Sequence, residues 1–315
     1  MIAAPFPARQ GPPIPYRIGR FLIEAGSVAL GAMLLIWSLI PVYNMFLIAL
    51  DPTGHNEFTW EIWPSQATLA AFLALWTGEV EDVRDIWPQF GNSIYIGVFV
   101  MALTVLIGSL ASFAIGRMRL AKSWMLTNTA LLTYIIPSST LIIPFHRVMH
   151  TYGLLDNPWA VIAAEVTFAT PYAILVLLHA AKLIPMELDD AARIDGASVV
   201  QLYLRIYVPL MAPALAAVGT YALLFAWNDY FYQYMLLTSE RNTTVAMGLE
   251  QFFDDDDAPW NYMMAIAILY SLPPIAIFYA LRRYMAAGLT ASGIKGCSDL
   301  ARSSPPNFEG GIFQA

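Results

Sequence analysis

The stretch "MELDDAARIDGAS", Met186–Ser198, holds Glu187, Asp189, Asp190, Asp195 and Arg193 between two long apolar runs. Only 12% of the 315 residues are charged, so this concentration needs a cause. Pro185 suits the first turn of a helix. Glu187, Asp189 and Asp190 then sit where acids favour the positive end of the helix dipole. Arg193 follows Asp189 by four residues and Asp190 by three, the spacing of pairs on one helical face. Leu188, Ala191, Ala192 and Ile194 form a small apolar flank. Gly196 is placed to end the helix in a left-handed cap. The reading is a short amphipathic helix, a sharp turn and a return towards "IYVPL", Ile206–Leu210. Such a helix either lies in a groove of a partner or is an ordinary solvated loop.

The surrounding chain is 58% apolar, with mean hydropathy +0.58. A soluble domain has about 45–50% apolar residues. Six runs approach the roughly 20 apolar residues of a membrane span: Ile23–Leu50, Ile94–Ile115, Trp124–Phe145, Trp159–Ala181, Val208–Leu236 and Trp260–Leu281. They are continuous runs, not the alternating strands of a membrane barrel. The expected fold is therefore an all-α membrane protein with six transmembrane helices. The first run exceeds the core of a cleaved signal, so an uncleaved anchor is expected. Prolines interrupt five spans, at Pro41, Pro137 and Pro144, Pro171, Pro209 and Pro213, and Pro273–Pro274, and kinks are expected there.

Orientation follows from basic residues. Arg9, Arg17, Arg20, Arg117, Arg119, Lys122, Lys182, Arg193, Arg205, Arg282, Arg283, Lys295 and Arg302 fall on one side. Only Arg84, Arg147 and Arg241 face the other. The first side is expected to be cytoplasmic and to hold both termini, and the charged stretch lies on it, between spans four and five. The opposite loops are Asp51–Phe90, "HTYGLLDNP" (His150–Pro158), and Thr238–Pro259 with its acidic run Asp254–Asp257.

The composition excludes several chemistries. One cysteine, Cys297, allows neither an internal disulfide nor a cysteine-based zinc site. His146 and His150 have the spacing of a helical metal pair, but no third ligand is near in sequence, so no metal site is expected. The mild acidity gives no reason to expect a nucleic-acid partner. The lysines Lys122, Lys182 and Lys295 follow Ala121, Ala181 and Ile294, so no P-loop is possible.

The longer stretch "DAARIDGASVVQLYLRIYVPL", Asp190–Leu210, resembles the Glu-Ala-Ala loop of binding-protein-dependent ABC importer permeases. Asp190, Ala191, Ala192, Gly196, Ile206, Val208 and Pro209 occupy the motif positions in order and spacing. Asp190 replaces Glu, and Val208 replaces Leu. "NSIYIGVFVMALTVLIGSLASFAIGRMRL" (Asn92–Leu120) and "IIPSSTLIIPFHRVMHTYGLLDN" (Ile135–Asn157) look like the second and third spans of that family. "FAWNDYFYQYMLL" (Phe225–Leu237) and "RRYMAAGLTASGIKG" (Arg282–Gly296) resemble its carbohydrate branch, at the smaller permease of maltose transporters.

The resemblance implies a transmembrane domain over 21–296, flanked by cytoplasmic segments 1–20 and 297–315. It implies that Asp190, Ala191, Ala192, Arg193, Asp195, Gly196, Ile206 and Pro209 form a coupling helix and its return. That helix would dock on a separate ATPase. ATP and Mg would be bound by two such subunits, with no cofactor on this chain. A second homologous permease and an extracytoplasmic solute-binding protein complete the expected assembly, in the cytoplasmic (inner) membrane.

Polar groups within spans are pathway candidates: Glu165, and the cluster Trp227, Asn228, Asp229, Tyr230 and Tyr232. Hydrogen-bonding groups beside flat aromatic rings suit a sugar. The same residues equally suit bonds between helices and an interfacial aromatic belt. A permease for a polyol or glycerol-phosphate and a stand-alone carrier are the alternatives; a carrier usually shows two internal repeats and intramembrane acids for coupling ions, and no clear repeat is seen.

Overall fold

A computed structural model describes residues 14–54, 62–118, 123–253 and 259–302. His55 and the acidic run Asp254–Asp257 lie outside them. The described residues are helical, with short irregular connections and no strand. Five stretches are long and apolar enough to cross a membrane: Phe21–Leu50, Ile86–Arg117, Pro158–Ala181, Val199–Asn228 and Trp260–Arg282. A sixth arises if the bent pair Ser123–Thr133 and Ser138–Thr151 is one span.

The chain forms two compact units. The first contains α1 (Ile14–Leu50), most of α2 (Ala70–Thr77) and the start of α12 (Trp260–Arg302). Most of α1 turns large apolar side chains outward, from Phe21 to Phe46, as a lipid-facing span does. Its end is fastened by Thr68 N–H to Leu50 O (2.8 Å) and Trp260 N–H to Gly54 O (3.1 Å). Tyr43 Oη also donates to Ile62 O.

The second unit is built on α3 (Ile86–Arg117), α6 (Pro158–Ala181) and α9 (Val208–Asn228). Small residues let these helices approach. A Cβ on Gly108 would stand 3.0 Å from Ala173 Cβ, and one on Gly116 would stand 3.1 Å from Leu178 Cδ1. Around them lie α4 (Ser123–Ile135), α5 (Ile142–Thr151), α7 (Glu187–Ile194), α8 (Val199–Gln201), α10 (Phe231–Leu236) and α11 (Val245–Gln251).

Two expected spans differ in detail. Trp124–Phe145 is not one straight helix: it bends by 85° between α4 and the helix that follows. Pro137 is the cause. Its ring disfavours helix at the preceding Ile136, where α4 has ended, and Pro137 itself is extended (φ −61°, ψ 128°). The following 3-10 turn is then capped by Thr140 Oγ1 donating to Pro137 O at 2.7 Å. By contrast the backbone stays helical through Pro41, Pro171, Pro213, Pro273 and Pro274.

The run Val208–Leu236 is split at Asp229, whose backbone is extended (ψ 129°). It also starts earlier than expected, through a π-helical turn over Leu202–Tyr207. Pro209 has no N–H for the Arg205 carbonyl and its ring crowds that group, so the helix widens just before it.

Candidate functional site

The charged stretch folds as its residues dictate. Asp195 caps α7, and Gly196 follows at φ +82°. Gly196 N–H donates to Arg193 O (3.1 Å) and Ala197 N–H to Ala192 O (2.9 Å), the paired bonds of a Schellman ending. Ser198 then caps α8 in a reciprocal box with Gln201. This brings Ala192, Asp195, Gly196, Arg205 and Ile206 together around a cleft of about 320 Å³. Leu188 and Ile194 of the apolar flank face outward, Ile194 87% exposed, while Ala192 packs inward.

The expected pairing of Asp189 with Arg193 is not what forms. Asp189 is 4% exposed, and its Oδ1 accepts from Arg117 Nη2 at 2.7 Å. A buried carboxylate needs a desolvated partner, which outweighs the few tenths of a kcal/mol of an exposed helical pair. Arg117, the last residue of α3 and 3% exposed, also donates to Ile184 O (2.8 Å) and Pro185 O (3.1 Å). The π-helical turn places Tyr203 and Tyr207 on the same stripe of α3. Tyr203 Oη pairs with Ser109 Oγ and Tyr207 Oη with Ser112 Oγ, each at 2.7 Å. Phe113 meets both rings edge-on. Nothing local in the sequence marks these partners.

At the other end of α3, Asn92 Nδ2 donates to Arg241 O and Thr243 O, both at 2.9 Å. Here Asp156, at φ 57°, collects the segment before α11. Its Oδ1 accepts from Thr238 N (3.0 Å), Ser239 N (2.9 Å) and Ser239 Oγ (3.0 Å). Burial pushes the carboxyl up, but bonds from Thr238, Ser239 and Asn242 outweigh it and hold the pKa down at about 2, against an ordinary 3.8. A depressed acid stabilises the fold above its ordinary pKa, and that stability is lost as pH falls through the folded value. Amide exchange at Thr238 and Ser239 should therefore quicken as pH drops from about 4 to 2, after correction for intrinsic rates. Asp156→Asn should flatten that dependence; an unchanged profile in the variant contradicts the clamp.

The pathway candidates separate into two sets. Asn228 and Asp229 line a cavity of about 410 Å³ with Ser138, Tyr221, Leu224 and Phe225. Asp229 Oδ2 also accepts from Tyr232 N (3.0 Å) and Gln233 N (3.2 Å), capping α10. Glu165 is 1% exposed on α6 and lies against the Asp229 carboxyl. Among the described residues its Oε2 has no hydrogen-bond partner. Trp227 is buried and stacks on Tyr270, with centroids 4.7 Å apart. Tyr232 is buried too, and its Oη donates to Ser138 O at 2.5 Å. Tyr230 stacks on Tyr234 at 5.4 Å. Tyr221 and Phe225, which the sequence reading passed over, supply the cavity's aromatic faces.

A bundle of long apolar helices with a charged, exposed loop is the build of a multi-pass membrane protein. The chain belongs to the family of binding-protein-dependent transport system inner membrane components, whose profile matches residues 105–291. It is 30% identical over 275 residues to the inner membrane ABC transporter permease protein YcjP of Escherichia coli, covering 84% of this chain and 94% of that one. It is 29% identical over 262 residues to the trehalose transport system permease protein SugB of Mycobacterium tuberculosis, covering 82% and 93%. Among solved structures, a bacterial ABC transporter that imports the acidic polysaccharide alginate aligns with TM-score 0.72 at 20% identity, over 89% of this chain and 99% of that one. That likeness is one of fold.

Proposed function

We propose that this chain is one of two permeases in an ATP-driven importer that moves a sugar or oligosaccharide delivered by an extracytoplasmic binding protein. The observation that carries the ATPase-coupling part is the cleft formed by Ala192, Asp195, Gly196 and Ile206, with Ile194 exposed beside it. A protruding apolar side chain on a charged helix, beside a cleft, is built to be covered. In this reading α7 is the coupling helix, faces the cytoplasm, and docks on one of two ATPase subunits that bind ATP and Mg. The loops at the opposite end of α3 face the binding protein. The segments 1–20 and 297–315 flank the transmembrane domain on the cytoplasmic side.

The substrate class is supported by the trehalose relative and by the relative from Bacillus subtilis named as a melibiose, raffinose and stachyose import permease, 27% identical. The cavity at Asn228 offers the matching chemistry, an amide and hydroxyl-bonding groups beside Tyr221 and Phe225. The test is uptake by proteoliposomes holding the complete complex, using a panel of labelled neutral oligosaccharides, polyols and glycerol phosphate. Uptake of an oligosaccharide that needs internal ATP and the binding protein supports the reading. Uptake driven by an ion gradient without ATP contradicts it.

Asn228 Nδ2 donates to Leu224 O at 2.8 Å, which leaves Oδ1 as an acceptor on the cavity wall. Asn228→Ala should raise the half-saturating solute concentration severalfold, the worth of about one hydrogen bond. The maximal rate should stay near wild type. A lowered rate at unchanged half-saturation would place Asn228 outside the solute path.

A further inference from the structure

Both legs of the α7 loop are fastened to one helix. The outgoing leg is gripped by Arg117, whose guanidinium holds Ile184 O, Pro185 O and Asp189. The returning leg is gripped by Ser109, Ser112 and Phe113 through Tyr203 and Tyr207. These α3 residues recur at helical spacing along a single stripe, so α7 cannot shift without moving α3 or breaking buried polar bonds. At the far end the same helix holds the segment before α11. Asn92 bonds two of its carbonyls, and Ser93 Oγ accepts from Val245 N–H at 3.1 Å. Between Asn92 and Arg117 the helix is unbroken, a rise of about 37 Å at 1.5 Å per residue. Gly97 lies in contact with Trp227, and Gly108 packs tightly on Ala173, so the helix is flanked closely along its length.

We propose that α3 is a transmission rod, with Arg117 and Asn92 as positioning residues that carry displacement of α7 to the segment before α11. The proposal rests on the importer reading, in which nucleotide moves α7. A rigid element held at both ends offers a contiguous route for coupling between distant sites, and the nucleotide response and its non-additivity test whether it is used.

The experiment uses the complete complex, purified through a tag on the full chain carrying Cys297→Ser. Glu240→Cys, an exposed position beside the Asn92 contacts, is labelled with a maleimide with and without ATP, Mg and vanadate. In the otherwise wild-type complex, nucleotide should change the labelling rate about tenfold, within the usual range of allosteric coupling. Asn92→Ala should reduce that response to less than about twofold with the ATPase still co-purifying; Arg117→Gln, which strands the buried Asp189, should do the same wherever the complex still assembles, and the double variant should then be no worse than either single. A response that persists in both single variants, or losses that multiply in the double, overturns the rod. No response with the ATPase present overturns it as well. If Arg117→Gln does not assemble, Asn92→Ala decides alone, since it lies at the far end from α7. Failure to recover any ATPase with the wild-type chain overturns the importer reading, and the rod with it.

Discussion

Asp189→Leu should cripple the α7 loop. The variant removes the only charged partner that Arg117 has among the described residues and leaves its guanidinium buried against two carbonyls. Breaking a buried ion pair from one side costs about 3–5 kcal/mol, because the surviving charge stays desolvated. The exposed acids of the same helix set the contrast: changing Asp195 to Ala should cost no more than about 0.5 kcal/mol of stability. Thermal unfolding in detergent and limited proteolysis after Pro185 would show the difference. Replacing both partners, with Arg117→Met and Asp189→Leu together, should recover most of the loss. A single variant as stable as wild type would mean that the pair does not form.

Gly196→Leu should leave the fold largely intact and abolish coupled transport. A Cβ on Gly196 meets nothing within 4 Å, so the cost inside the chain is conformational. At φ +82° a leucine pays about 1–2 kcal/mol. The larger effect falls on docking. The new side chain would stand at the mouth of the cleft lined by Asp195 and Ile206, where the ATPase is proposed to sit. Obstructing a central interface position typically costs 2 kcal/mol or more, roughly thirtyfold in affinity. The measurements are insertion, ATPase recovery and ATP-dependent uptake. Normal uptake by Gly196→Leu would count against the coupling role of this loop.

The sequence carried the loop further than the bundle. Gly196 was readable as a left-handed cap because glycine, helix end and turn coincide there, and the structure has that cap. The partner of Asp189 was not readable. Arg117 lies 72 residues away and competes with Arg119 and Lys122, and only the packing of α3 against the loop selects it. The prolines teach a similar lesson. Pro137 and Pro171 both interrupt apolar runs, yet the helix breaks only at the first. Ser138, Ser139 and Thr140 follow Pro137 and support a turn, with Thr140 closing it. The backbone of α6 stays helical through Pro171. In the cavity, Asn228 and Asp229 were legible as polar residues in an apolar setting. Tyr221 and Phe225 were not, because an aromatic residue in a span gives no sign of whether it faces lipid, core or cavity. Trp227 and Tyr232 show the reverse, rings that looked available and are spent on Tyr270 and Ser138.

The most direct test is an affinity pull-down of this chain from its native membrane, with Asp190–Gly196 intact and with that segment scrambled. The intact chain should bring down an ATPase, a second permease and, under cross-linking, a solute-binding protein whose bound solute names the substrate. The scrambled chain should keep the second permease and lose the ATPase. Recovery of this chain alone, still transporting when reconstituted, or an ATPase that stays bound to the scrambled loop, would contradict the account.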